Sequence, residues 1–145
     1  MYRYTESGLR NVWLANGYKL RETPYGKGVA IENLDGLHRA IARQIVRLPR
    51  PLGGAEFRFL RKQLELSQAG LAGYLGCNPQ ALARWEKGKS RIPKPAERLL
   101  RAFYRESDEG NAQIRELVER ISRRGVVQRA KLEFARRGGE WKAAA

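Results

Sequence analysis

Apolar and polar residues alternate along residues 12–31, VWLANGYKLRETPYGKGVAI, a pattern typical of short β-strands. The pair Asn16-Gly17 within this stretch favours a two-residue hairpin turn. The sequence Gly26-Lys27-Gly28 indicates a second turn, which leaves Val29 to Ile31 as a third strand. The pattern therefore predicts a small β-meander near the N-terminus.

The apolar spacing then changes to that of a helix, which starts near Asp35. Its apolar residues are Leu34, Leu37, Ile41, Ile45 and Leu48. Three short strands need a cover, so we expect this helix to pack on the meander. Arg39, Arg43 and Arg47 share another face of the helix, and two interpretations remain open for them. They form a solvated face, or they form a row of cations that contacts phosphates or a partner.

The sequence LPRPLGG, residues 48–54, contains two prolines and two glycines and cannot continue a helix. It predicts a linker with a domain boundary near residue 53. We therefore expect three parts: an N-terminal α+β module in residues 1–50, a helical domain in residues 55–105, and a C-terminal helix with a basic tail in residues 106–145. The fold class predicted for the whole chain is α+β.

The segment after the linker carries the signals of four helices. The first ends before Ser67, which is a good N-cap for the second. Gly76 ends the second helix, and Asn78 caps a third that has Pro79 at its first position, where a missing N–H costs nothing. The fourth is predicted over Ala96 to Tyr104. The apolar residues that predict these helices are Phe57, Leu60, Leu64, Leu71, Ala72, Leu75, Leu82, Trp85, Leu99, Leu100 and Phe103.

Helical geometry divides the third helix into two faces. Leu82 and Trp85 lie three residues apart and must face the core together with Ala81. The opposite face carries Gln80, Arg84 and Lys87. Gly88 ends the helix, and a basic loop follows that contains Lys89, Arg91 and Lys94.

The net charge of the chain is +14, and residues 51–105 contribute +7 of it without being low in complexity. Lys and Arg release condensed counterions from a polyanion, so this excess favours nucleic acid as a partner, with an anionic membrane surface as the alternative. No segment approaches the roughly 18 apolar residues of a membrane span, and the N-terminus lacks the apolar run of a signal peptide. We expect a cytoplasmic protein that does not bind membranes.

Catalytic and metal chemistry have few candidate residues. Cys77 is the only cysteine and His38 the only histidine, so the chain has neither an intrachain disulfide nor a Cys/His zinc cluster. We predict that Cys77 is a small buried residue and that His38 lies at the surface or at the edge of the core. We expect no enzymatic activity, no metal and no cofactor.

The C-terminal part predicts one more helix, in residues 111–123, with an apolar stripe formed by Ile114, Leu117, Val118 and Ile121. The stripe folds back on the four helices or pairs with its copy in a dimer; both interpretations remain open. The tail from Arg124 has a short helical pattern followed by Gly138-Gly139, and we expect it to fray. Its basic residues add nonspecific DNA affinity, bind an acidic partner, or are only solvated.

The stretch LRKQLELSQAGLAGYLGCNPQALARWEKGKSRIPKPAERLLRAFY resembles the Cro/C1-type (XRE) helix-turn-helix domain of bacterial and phage repressors. The resemblance covers about residues 55–105, and its signature is LSQ, the LG turn and RWEKG in that order. It implies a DNA-binding transcriptional regulator, expected to be a repressor, which acts as a homodimer on a palindromic operator in double-stranded DNA.

The resemblance also implies roles for individual residues. Gln80 and Arg84 match positions that read bases, which suits the affinity of Gln for adenine and of Arg for guanine. Arg61 and Glu86 match a structural ion pair. The positions that contact the DNA backbone are matched by Gln68, Lys87, Lys89, Arg91 and Lys94.

The N-terminal strings YTESGLRNVWLANGY and TPYGKGVAIENLDGLHRAI are similar to the YgiT/MqsA-like group of antitoxin-type regulators. In the zinc-binding members this region carries paired CxxC ligands. This chain has none, so zinc is not carried over. The similarity implies an alternative function, in which the N-terminal module binds a toxin and the DNA-binding domain autoregulates the operon.

Overall fold

The computed structural model describes residues 1–123 and 131–144. Its strands are β1 (Tyr2–Arg3), β2 (Trp13–Leu14), β3 (Tyr18–Thr23), β4 (Gly26–Ile31), β5 (Phe134–Arg137) and β6 (Glu140–Ala143). Its helices are α1 (Leu34–Val46), α2 (Gly54–Gln63), α3 (Gln68–Leu75), α4 (Pro79–Glu86), α5 (Lys94–Asp108) and α6 (Gln113–Arg123). Strands near both ends with helices between them confirm the predicted α+β class.

The N-terminal strands form two separate hairpins, so the predicted meander is wrong. Strand β1 pairs antiparallel with β2, and β3 pairs with β4, each in its own two-stranded sheet. Asn16-Gly17 lies in the connection between these sheets instead of joining two paired strands. The second hairpin turns at Pro24-Tyr25 and not at residues 26–28, because Thr23 already pairs with Gly26. Local turn preference could not determine this pairing, which depends on contacts between whole strands.

Helix α1 starts at an unusual cap. Asn33 adopts the left-handed conformation with φ of 48°, and its side-chain oxygen accepts the N–H of Gly36 at 3.2 Å. A short polar side chain that bonds to the local backbone makes this conformation accessible to a residue other than glycine. The helix therefore begins at Leu34, one residue before the predicted start at Asp35.

The arginine face of α1 is exposed, and one of its members is paired. Arg43 donates two hydrogen bonds to the Asp108 carboxylate on α5, at 2.8 and 3.1 Å. These bonds hold the pKa of Asp108 below its usual value. Exposed pairs of this kind stabilise a fold by about 0 to 1 kcal/mol, so the pair orients α1 on α5 more than it stabilises the protein.

The ends of α2, α3 and α4 follow from local signals. The Ser67 hydroxyl accepts the N–H of Gly70 at 2.9 Å, and the Asn78 side chain accepts the N–H of Ala81 at 2.7 Å. Gly76 ends α3 in the left-handed conformation with φ of 71°, which favours glycine. These caps confirm the predicted boundaries between the helices. Helix α5 is longer than predicted at both ends, because Pro93 caps it before Lys94 and its buried face continues to Glu106.

One hydrophobic core joins α1 to the helices that follow the linker. Its buried members are Leu9, Ala42, Ile45, Leu52, Phe57, Phe59, Leu60, Leu64, Leu71, Ala72, Leu82, Trp85, Ala96, Leu100, Phe103 and Tyr104. Leu52 belongs to the predicted linker and yet is buried in this core. The linker thus connects elements that pack on one another, and the domain boundary near residue 53 stays a prediction.

The linker is held in place by Arg101 of α5. Its guanidinium donates hydrogen bonds to three main-chain carbonyls, those of Val46, Leu48 and Arg50. It also pairs with Glu97, one helical turn earlier, whose carboxylate accepts the N–H of Leu52 at 3.2 Å. This arrangement, here called the linker latch, satisfies the carbonyl of Val46, which has no partner within the helix because it lies at the C-terminus of α1, and two carbonyls of the linker.

Helix α2 approaches α4 closely at Gly54. A Cβ atom at this position would lie 2.4 Å from the carbonyl oxygen of Trp85 and 2.6 Å from that of Glu86. Both oxygens belong to backbone, which cannot move away as a side chain can. Glycine at residue 54 therefore allows the N-terminus of α2 to support the C-terminal turn of α4.

Helix α6 folds back on the other helices, but most of its apolar stripe stays uncovered. It packs against α3 and α5, and Val118 contacts the core. The buried carboxylate of Glu106 caps α6 by accepting the N–H groups of Ile114 and Arg115 at 2.9 to 3.1 Å. The other stripe residues, Ile114, Leu117 and Ile121, are 40%, 52% and 67% exposed.

The C-terminal tail is not a frayed helix. Strands β5 and β6 pair antiparallel, with Arg137 opposite Glu140 and Gly138-Gly139 in the turn between them. Both glycines have positive φ angles, 59° and 82°, which glycine adopts without strain. They close a hairpin instead of marking a disordered end. The first part of the predicted helical pattern, residues 124–130, lies outside the described residues.

Candidate nucleic-acid interface

Helix α4 presents two polar side chains on its outer face. Leu82 and Trp85 are buried, whereas Gln80 and Arg84 are exposed one turn apart. The core contacts of the inner face fix the rotation of the helix about its axis. The two exposed side chains are thereby held side by side, and Lys87 continues the same face at the C-cap of the helix.

A buried ion pair anchors the C-terminal turn of α4. The Arg61 guanidinium donates to both carboxylate oxygens of Glu86, at 2.7 and 2.9 Å. The side chains are only 8% and 3% exposed. Arg61 also donates to the carbonyl of Leu66 in the turn between α2 and α3, at 2.9 Å. One side chain thus links α2, the turn that follows it, and α4.

Gln68 completes this network. Its side-chain amide donates to the Oε1 atom of Glu86 at 3.0 Å. The side chain is therefore tied to the buried pair, although it stands at the first position of α3, where main-chain N–H groups lack partners within the helix. The resemblance predicted a phosphate contact for Gln68, and its position at a helix N-terminus suits an anion.

The basic loop after α4 carries four exposed cations. Gly88 turns the chain with φ of 71°, and half-buried Ile92 packs against the core. The cations are Lys87, Lys89, Arg91 and Lys94. Lys94 is the first residue of α5, so the core also holds its backbone. The loop is anchored at both ends, and its charges are directed to solvent.

His38 and Cys77 lie apart from this surface and have structural surroundings. The His38 Nε2 atom is 2.8 Å from the Tyr4 hydroxyl, and its ring meets Phe59 edge-on at 5.6 Å. Cys77 is half-buried, and burial raises the pKa of its thiol. Among residues 1–123 and 131–144, no three His, Cys, Asp or Glu side chains are grouped so as to hold a metal ion.

Reasoning from sequence did not identify the roles of Gln68 toward Glu86 or of Arg101. The i, i+4 spacing of Glu97 and Arg101 was a signal for their pairing. The contacts of Arg101 with the linker span about fifty residues, and no local pattern reports them.

Comparison with known proteins supports a helix-turn-helix arrangement of α3 and α4. The helix-turn-helix family model matches residues 57–97, from the first turn of α2 into α5. Residues 57–97 are therefore a helix-turn-helix domain, and this match supports a DNA-binding regulator. No curated protein and no solved structure matches the chain.

The family match does not extend over the N-terminal strands and α1. The similarity of that region to antitoxin-type regulators thus stays a prediction. Among the described residues, no helix is both long and apolar enough to cross a lipid bilayer.

Proposed function

We propose that this protein is a sequence-specific transcriptional repressor that binds a palindromic operator as a homodimer, with α4 in the major groove. The observation that carries the proposal is the pair of exposed side chains, Gln80 and Arg84, on a helix whose other face is buried. No covalent chemistry is involved. The expected cytoplasmic location follows from this function.

In this proposal Arg84 reads guanine through two hydrogen bonds to O6 and N7, and Gln80 pairs with adenine N6 and N7. Gln68 contacts a phosphate through the amide hydrogen that Glu86 does not use and through the N-terminus of α3. Lys87, Lys89, Arg91 and Lys94 bind the backbone, and Lys94 approaches the minor groove. These cations position the protein and carry no sequence preference.

Substitution of Arg84 and of Lys89 separates these two roles. Arg84→Ala is expected to weaken binding to the preferred site by about 1 to 3 kcal/mol and to relax specificity at one base position. Lys89→Ala is expected to weaken binding to preferred and random duplexes equally, and to reduce the salt dependence by about one phosphate contact per protomer. Gel-shift titrations over a range of salt concentrations measure both. An equal loss on both duplexes for Arg84→Ala would refute its base-reading role.

The dimer surface that we propose is the exposed apolar stripe of α6. Leu117, at its centre, is 52% exposed although Val118 beside it contacts the core. Glu106 and Arg115 hold α6 in place. Dimerisation through its apolar stripe therefore does not require a further segment to fold. A second copy of α6 offers the same apolar residues, which satisfies the self-complementarity of a two-fold interface.

The variant Leu117→Glu tests this surface. It places one carboxylate from each protomer in the interface. The dimer dissociation constant is therefore expected to rise about tenfold or more. Gln113→Glu, which adds the same charge at an exposed polar position of α6, is the matched control and leaves the constant nearly unchanged. Sedimentation equilibrium measures both constants, and a Leu117→Glu protein as dimeric as the wild type excludes α6 as the dimer surface.

An antitoxin that binds a toxin protein and autoregulates its operon is the second candidate function. A largely apolar cavity of about 350 Å³ lies between residues 9–14 and α1, and Trp13 at its border is 56% exposed. A partner that co-purifies in high salt with the wild type and is lost with Trp13→Ser favours this function. If both the wild type and the Trp13→Ser variant purify as homodimers without another protein, the repressor function without a toxin partner is favoured.

A further inference from the structure

The hairpin formed by β3 and β4, here called the β-ribbon, carries its charges on separate faces. Cross-strand pairing places Lys19 opposite Ala30 and Arg21 opposite Gly28, and directly opposite residues share a face of the ribbon. The acidic residue Glu22 lies on the other face, opposite Lys27. One face thus presents two exposed cations beside small residues and includes no acidic residue.

We propose that this face of the β-ribbon is a second DNA-binding element, in which Lys19 and Arg21 contact backbone phosphates beside the site bound by α4. The inference rests on the proposed function. It assigns a nucleic-acid contact to a region that the helix-turn-helix match does not cover.

The position of the ribbon in the fold supports this ligand. Its last strand ends at Ile31, three residues before α1 begins. The first turns of α1 and the end of α2 line one polar cavity of about 670 Å³, to which α1 contributes Arg39 and α2 contributes Lys62. Helix α3 begins six residues after Lys62. The base of the ribbon is therefore joined to the end of α1 that shares this cavity with the C-terminal end of α2, which precedes α3.

Arg39 and Lys62 are exposed and extend the basic surface between the ribbon and α3. Three carboxylates, those of Asp35, Glu65 and Asp108, line the same cavity and reduce the net charge there. Lys19 and Arg21, by contrast, lie on a face of the β-ribbon that includes no acidic residue. Two strands of six residues span about 20 Å, and a two-stranded ribbon fits along a duplex or into its major groove. An acidic protein is a different ligand, and a ribbon that binds only such a protein would leave the salt dependence of DNA binding unchanged.

The double variant Lys19→Gln with Arg21→Gln removes both cations and keeps polar side chains of similar length. The matched control, Arg105→Gln with Arg120→Gln, removes two exposed cations from the last turns of α5 and from α6, where no DNA contact is proposed. Both variants lower the net charge equally. Thermal unfolding followed by circular dichroism establishes that each variant is folded before the binding measurements.

The readout is the dependence of DNA affinity on salt. Each phosphate contact contributes about 0.9 to the slope of log K against log salt, so the ribbon variant, which removes two contacts per protomer and four from the proposed dimer, is expected to lose about 3.6 of slope. Between 50 and 200 mM salt its affinity should fall about a hundredfold less than that of the wild type. The loss should be equal on the preferred and on a random duplex, because phosphates carry no sequence information. The control is expected to keep the wild-type slope.

The outcomes separate this inference from the proposed function. If Arg84→Ala relaxes specificity and the ribbon variant keeps the wild-type slope, the β-ribbon does not bind DNA and the repressor function stands. If the control loses as much slope as the ribbon variant, the effect is one of net charge and the ribbon contact is refuted. If the wild type binds no duplex DNA, both the proposed function and the ribbon contact are wrong.

Discussion

Replacing Arg61 with alanine is expected to lower the free energy of unfolding by about 3 to 5 kcal/mol. The reason is the charge that remains. Glu86 is 3% exposed and keeps only the hydrogen bond from Gln68, so its carboxylate is buried without a cation. The carbonyl of Leu66 loses its donor as well. Urea unfolding followed by tryptophan fluorescence measures the loss, because Trp85 lies beside Glu86 in the core.

Two further variants test this explanation. Arg58→Ala removes an exposed arginine from the same helix and is expected to change stability by about 0.5 kcal/mol or less. The double variant Arg61→Met with Glu86→Leu removes both charges and should recover most of the loss, since replacing a buried pair with apolar residues is often neutral. If Arg61→Ala is no more destabilising than Arg58→Ala, the pair does not support α4.

Replacing Arg101 with alanine is expected to lower the free energy of unfolding by about 2 to 4 kcal/mol, the second largest effect. The carbonyls of Val46 at the end of α1 and of Leu48 and Arg50 in the linker lose a charged donor. Glu97, whose side chain is 8% exposed, loses its cation. The linker should also become accessible to proteases, because its main chain is no longer bound to α5. Urea unfolding and limited proteolysis within residues 48–53 measure the two effects.

The matched control for the linker latch is Arg105→Ala. Arg105 and Glu109 form an i, i+4 pair on the same helix, but their side chains are 76% and 60% exposed. The loss of this pair is expected to change stability by about 0.5 kcal/mol or less. Equal losses for Arg101→Ala and Arg105→Ala, or an unchanged rate of linker cleavage, would contradict the role assigned to Arg101.

The helices from α2 to α4 could be predicted from the sequence because their signals are local. Ser67, Gly76 and Asn78 act within one turn of the residues that they cap, and apolar spacing alone determines which face is buried. The same geometry placed Gln80 and Arg84 on the outer face of α4. The candidate site could be predicted because it consists of one helix and the loop that follows it.

The remaining features depend on contacts between distant residues. The pairing of β1 with β2 excluded the predicted meander, although the Asn16-Gly17 pair favours a hairpin turn. The hydrogen bonds of Arg101 cross from α5 to the linker, and that of Gln68 crosses from α3 to α4. The small residues Ala30 and Gly28, which lie opposite Lys19 and Arg21 on one face of the β-ribbon, required the observed register. None of these contacts leaves a pattern in neighbouring residues.

The most direct test of the central claim is selection of binding sites from random duplex DNA by the wild-type protein. If α4 reads bases in a dimeric repressor, selection should enrich one sequence with two inverted half-sites whose centres lie about 34 Å, or roughly ten base pairs, apart. Binding to that sequence should weaken steeply with salt. Binding that enriches no sequence, or the absence of any DNA binding, would contradict the claim.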